Sequence, residues 1–251
     1  MFFVVNKNKI VSILILMIAV VTVVTALPTV DLQVTANVDK LLPIYCVDTE
    51  EKKVALTINC AWENTDIDKI LNSLKEYNVK VTFFVVGDFA KKYPESVKAI
   101  YDAGHEIGNH SFTHPNVNNL PLEDNVKQIN DCNNLVKEIT GTTPMLYRAP
   151  YGEYNDTVIK ASKQANMYAI QWNVDSLDYR DLSKEDMWKR IEKGVNPGSI
   201  ILMHSGTKNT ADALGYIIEN LQNMKYDIVK VSDLIYKDNY YINHQGMQKQ
   251  N

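Results

Sequence analysis

His110 and His114 stand four residues apart, with Ser111 between them and Pro115 directly after. Two imidazoles from one short segment can aim their nitrogens at a single divalent ion, zinc foremost. The same spacing arises by chance on many helices, so the pair alone is a moderate signal. The chain has only five histidines, and three of them (His110, His114 and His204) follow apolar, strand-like runs in Gly- or Pro-flanked segments. Parallel α/β folds place their chemistry at such strand ends.

The elements that must position these residues alternate along the chain. Residues 54–58 and 81–86 are apolar, β-branched runs, and Ile67, Ile70, Leu71 and Leu74 between them have helical spacing. Helices follow at 94–103, stopped by Gly104, and at 122–140, with a strand leading to Asn109 between them. Strands at 145–148, 168–174, 199–203 and 228–231 alternate with helices at 155–166, 183–195 and 211–224. Asn155 and Ser183 are placed to cap the first two of these. About seven βαβ units fit, which predicts an α/β chain built as a barrel of parallel strands. Five segments then fall at strand ends facing one mouth: 59–62, 110–114, 148–152, 175–179 and 202–204. Taken singly, Arg148 reads as a surface ion pair, Asp175 and Asp178 as turn residues and His204 as a hydrogen-bonded core histidine. Five such segments in order make the dull readings untenable together.

Lys7 and Lys9 precede a charge-free apolar run at 10–26, which reads as a signal peptide or a membrane anchor. Either way the remainder is expected outside the cytoplasm, membrane-anchored or secreted. A spacer with a first strand is expected at 27–51, the main domain at 52–237 and a polar tail at 238–251. Residues 1–26 carry two of the 26 basic side chains and none of the 30 acidic ones, so the remainder is mildly acidic. No basic patch argues for nucleic acid. Three widely spaced cysteines, Cys46, Cys60 and Cys132, do not form a disulfide framework.

The motifs His110-Ser-Phe-Thr-His114, Arg148-Ala-Pro-Tyr151, Asp175-Ser-Leu-Asp-Tyr179 and Leu202-Met-His204 resemble those of the polysaccharide deacetylase family, the NodB-homology carbohydrate esterases. The resemblance spans residues 52–236, and the flanking Pro-Ile-Tyr-Cys-Val-Asp and Ala-Trp are similar to its sporulation-associated subgroup. It implies a distorted (β/α) barrel of about seven parallel strands, the NodB-homology fold. It also implies metal-assisted removal of N-acetyl groups from a cell-wall glycan such as peptidoglycan or a chitin-like polymer. On that resemblance His110 and His114 hold the metal and Arg148 orients the base. His204 is the acid and Asp175 its carboxylate partner. The Tyr151 backbone contributes to an oxyanion site, and Trp172, Tyr179 and Leu202 wall the pocket.

The first motif departs from the family. Asn59 stands where the family has its general-base Asp, and Cys60 where it has a metal-ligating Asp. A neutral amide cannot take a proton from water, and loss of a general base costs roughly 10²–10⁴ in rate. Cys60 reads as thiolate ligand or as filler, and Glu63 or Asp66 is near enough in sequence to substitute as carboxylate. Three functions compete: a working or weakened glycan deacetylase, a non-catalytic wall-glycan-binding module, and another metal hydrolase on the same barrel. Arg148, His204 and Asp175 favour the first; Asn59 favours the second.

Overall fold

The computed structural model describes Lys40–Asn251, together with Lys7, Asn8 and Val11. Apart from Val11, the expected export segment at 10–26 lies outside the described residues, as does the spacer up to residue 39.

The strands are β1 (Cys46–Val47), β2 (Lys53–Cys60), β3 (Thr82–Val85), β4 (Glu106–Asn109), β5 (Leu146–Tyr147), β6 (Tyr168–Ala169), β7 (Val174–Asp175), β8 (Ile200–His204), β9 (Asp227–Val229), β10 (Tyr240–Ile242) and β11 (Met247–Gln250). The helices are α1 (Ile67–Glu76), α2 (Gly87–Lys92), α3 (Pro94–Asp102), α4 (Leu122–Thr140), α5 (Asp156–Gln164), α6 (Lys184–Gly194), α7 (Thr210–Asn223) and α8 (Val231–Leu234).

The main sheet runs β6-β5-β4-β3-β2-β8-β7, and every pairing in it is parallel. Its first and last strands, β6 and β7, are consecutive in the chain, so residues 170–173 carry the backbone from one end of the path to the other. This is the expected distorted barrel of about seven parallel strands, and β9 adds to it as an eighth. Ala55 pairs with Ile200 on one side and Val229 on the other, so β9 shares with β3 the second edge of β2. β2 is central and buried from Val54 to Cys60, which is why its sequence is a near-continuous apolar run rather than an alternation.

The helices cover the barrel through apolar stripes. In α1 the inward residues are Ile67, Ile70 and Leu74, in α7 Leu214, Ile217, Ile218 and Leu221. Asn155 caps α5, its side chain accepting from the Val158 N–H at 3.0 Å, and Ser183 caps α6 by accepting from Asp186 N–H at 3.1 Å. α4 ends at Gly141, whose φ of 79° only glycine adopts freely.

Two local expectations need correction. Residues 168–174 are not one strand, because Ile170 pairs with Ile44 and interrupts the run. The segment expected as a polar tail at 238–251 contains β10 and β11, which with β1 form a second, three-stranded sheet.

Candidate active site

The C-terminal ends of β2, β4, β5, β7 and β8 open onto one cavity of about 660 Å³. Its lining includes Asn59, His110, His114, Tyr151, Trp172, Asp175, Tyr179, Leu202 and His204. All candidate site residues but Arg148 therefore reach the cavity, and Arg148 lies directly beneath it, fully buried.

The two histidines converge. His110 follows β4 and donates from Nδ1 to the Arg148 carbonyl at 2.7 Å, which fixes the ring and leaves Nε2 for the cavity. The His114 ring lies 4.9 Å from it, and Tyr151 packs on the far side of His114 at 4.5 Å. Burial, helped by the mutual repulsion of the pair, holds His110 well below the usual imidazole range, and burial lowers His114 too. Both are thus kept neutral, the form that ligates metals. Ser111, His114, Tyr151, Leu177 and Asp181 all have φ near +60°. Such backbone is costly outside glycine, and here it is concentrated in the loops around the cavity.

Arg148 is built into the floor. Its Nη1 donates to Thr57 Oγ1 at 2.9 Å and to Asn59 Oδ1 at 3.0 Å, and Nη2 donates to the Gln171 carbonyl at 3.1 Å. The guanidinium lies 4.0 Å over the Phe84 ring. No described carboxylate hydrogen-bonds it, Nε has no partner, and burial pushes the guanidinium down to about 9. The arginine is therefore a buried cation facing a neutral amide. Because Asn59 turns its oxygen to Arg148, what it offers the cavity is an NH₂ donor.

His204, at the end of β8, is held by Asp178 and not by Asp175. Nδ1 donates to Asp178 Oδ1 at 2.8 Å, and the His204 backbone N–H donates to Oδ2 at 2.6 Å. The reason is local: Leu177 adopts the left-handed conformation, φ 53°, and turns Asp178 inward beneath the histidine. Asp175 instead accepts from the Leu177 N–H at 2.8 Å and lines the cavity wall. Trp62 and Tyr179 flank the His204 ring, each 5.4 Å away. Asp181 and Lys208 were not singled out by sequence; Asp178 read only as a turn residue, and Trp62 lay within the segment 59–62 without a role.

Neither fallback carboxylate reaches the cavity. Glu63 pairs outside it with Lys92 at 3.1 Å and with Tyr93, and Asp66 accepts the Gly206 N–H at 2.9 Å. Cys60 is fully buried in the core, and burial pushes its thiol up to about 12, so it is filler and no ligand.

A family model described as polysaccharide deacetylase matches residues 47–170. The peptidoglycan-N-acetylmuramic acid deacetylase PdaA of Bacillus subtilis is 32% identical over 209 residues, 82% of this chain and 80% of PdaA. The chain belongs to the polysaccharide deacetylase family. PdaC of the same organism, also a peptidoglycan-N-acetylmuramic acid deacetylase, is 36% identical over 75% of this chain, which spans 40% of PdaC. Among solved structures, a CE4 family pseudoenzyme from Bacillus anthracis and its mutant with restored enzymatic activity both match with a TM-score of 0.75. Each is 32% identical, and the match covers 83% of this chain and 70% and 72% of theirs.

Polysaccharide deacetylases are generally metal-dependent, and the donor set here fits a divalent ion in part. His110 and His114 supply two neutral imidazoles on one side of the cavity. Among the described residues no third His, Cys, Asp or Glu completes a three-ligand group. Two protein ligands leave several coordination positions to water or substrate and imply weaker binding than a three-ligand site.

Proposed function

We propose that this polysaccharide deacetylase is a metal-dependent hydrolase of N-acetyl groups on cell-wall glycan, slowed by Asn59 in the position of the general base. The observation that carries this reading is the Arg148–Asn59 hydrogen bond beneath a cavity that keeps the two histidine ligands, the His204 acid and its carboxylate. Arg148 stands ready to orient a carboxylate that the side chain at 59 does not provide. His204, oriented through Nδ1 by Asp178, presents Nε2 to the cavity as the proton donor for the departing amine. The Tyr151 backbone, in its strained turn, borders the same space as a candidate oxyanion donor. Leu202 and Trp172 give the acetyl methyl and sugar face apolar walls, and exposed Tyr179 extends that wall outward. A divalent ion on His110 and His114, zinc foremost, supplies Lewis-acid polarisation of the amide carbonyl. Relatives named for N-acetylmuramic acid and N-acetylglucosamine deacetylation support a peptidoglycan substrate. The run at 10–26 supports export, with the barrel anchored to the outer face of the membrane or released.

Asn59, together with the missing third ligand, favours a second reading, a non-catalytic module that retains wall glycan. Substituting Asn59→Asp separates the two. On N-acetylated oligosaccharides the wild type should be slow, and the variant faster by roughly 10² or more. A fast wild type unchanged by Asn59→Asp would overturn the assignment of this position. No activity in either, with metal and glycan bound, would favour the module.

A further inference from the structure

Among the described residues Lys208 is the one lysine or arginine lining the cavity, beside Gly206 and Thr207. Its side chain is exposed, and its ammonium pairs with no described residue. Other lysines do find a carboxylate, as in Lys92–Glu63 and Lys127–Asp131. The loop that carries Lys208 is fixed on both flanks. On one side Gly206 N–H donates to Asp66; on the other Asn209 Nδ2 donates to the carbonyls of Asp181 and Leu182 at 3.1 and 3.0 Å. Thr207 and Thr210 share a hydroxyl hydrogen bond across the loop. A held loop presents its cation at a constant place, lowering the ordering cost of using it.

The two amino sugars of peptidoglycan differ in one respect that a cation can read. N-acetylmuramic acid carries a 3-O-lactyl arm ending in a carboxyl group, and N-acetylglucosamine a free hydroxyl. We propose that Lys208 binds a carboxylate borne on the lactyl arm, so that the cavity prefers the anionic sugar to the neutral one. This rests on the glycan reading above and sharpens it. Asp175 and Asp181 line the same cavity, Asp181 next to the Lys208 loop through the Asn209 side chain, so Lys208 supplies positive charge on a wall that otherwise carries negative charge. On this proposal the arm leaves on the side of Gly206, Thr207 and Lys208. Its charge comes either from the free lactyl carboxylate or from a stem peptide attached there.

Calorimetry on the full chain with three oligosaccharides of equal length tests this: chitooligosaccharide, peptide-free alternating peptidoglycan glycan, and the same glycan with stem peptides. The wild type should bind a muramic-containing glycan roughly tenfold tighter than the neutral one, the lower end of a charge-assisted contact at an exposed site. The glycan that gains identifies the source of the carboxylate. Lys208→Gln should abolish the preference while leaving chitooligosaccharide affinity in place, and Lys208→Arg should keep most of it. Added salt should shrink it. Equal wild-type affinities for all three, or a Lys208→Gln loss that falls on all alike, would overturn the role of Lys208 and leave glycan binding standing. Binding of none of them would bring down the glycan reading as well.

Discussion

Asp178 grips His204 at two points, taking the imidazole Nδ1–H with one oxygen and the backbone N–H with the other. Thr210 Oγ1 donates to the second oxygen at 2.7 Å, so the buried carboxylate is held from α7 as well. A carboxylate so fixed sets the tautomer and the orientation of the ring. In the Asn59→Asp background, Asp178→Asn should lower deacetylation by roughly 10² or more, the scale of losing an acid catalyst. Asp175→Asn should cost less, because Asp175 holds only the Leu177 turn. Steady-state rates on one oligosaccharide decide it; the larger loss at Asp175 would return the partnership to that residue.

The two-histidine site should take up metal stoichiometrically but release it readily. Metal analysis after dialysis against a mild chelator should find the ion depleted from the wild type and restored on adding zinc. The protein with both His110→Ala and His114→Ala should not regain it. Unchanged metal content in that double variant would place the ion elsewhere.

Gly152 has a φ of 69°, and a Cβ there would sit 2.7 Å from the Trp172 ring. Gly152→Ala therefore strains the backbone, at about 1 kcal/mol, and also pushes Trp172 into the cavity. Lower thermal stability, altered tryptophan fluorescence and weaker glycan binding should appear together. A variant indistinguishable from wild type in all three would show that the wall yields without cost.

His105 is buried against Phe83, and its Nδ1 accepts the Val81 N–H at 3.2 Å. Burial, with Lys80 nearby, pushes its pKa down to about 4 from 6.5. Between those values the unfolded chain binds a proton that the folded chain refuses, so stability rises with pH across that window. The full contribution is present above about 6.5 and is lost as the pH falls toward 4, at most about 3 kcal/mol in all. His105→Gln keeps an acceptor for Val81 and cannot titrate. Its denaturant midpoint should lose that part of the pH dependence relative to wild type, and identical slopes would remove His105 as the cause.

The barrel was legible because its strands are buried on both faces and its helices carry local caps. Residues 54–58 and 81–86 announce β2 and β3, while Asn155 and Ser183 announce α5 and α6, each through interactions a few residues long. What could not be read depends on distant partners. The break at Ile170 comes from Ile44, 126 positions away in the numbering, whose carbonyl also takes the Gln171 N–H at 2.7 Å. Strand β11 looked like a tail because it is polar. Its Gln248 is nevertheless buried, bonding both the N–H and the carbonyl of Tyr236 at 2.9 and 2.7 Å. In the site, Asp175 and Asp178 are equivalent as letters, and only the left-handed turn at Leu177 tells them apart.

The parallel pairing of β1 with β11, Cys46 to Met247, joins the two ends of the described domain. Between them Ile44 holds Gln171, and the Gln171 carbonyl holds Arg148. β2, β3 and β4 pair with near neighbours in sequence, whereas Cys46 and Met247 lie 201 positions apart. Contacts of such long sequence separation form late. The arginine beneath the cavity is thus braced through Ile44 and Gln171, 127 positions apart, so the catalytic groups align only once two segments remote in the chain have met.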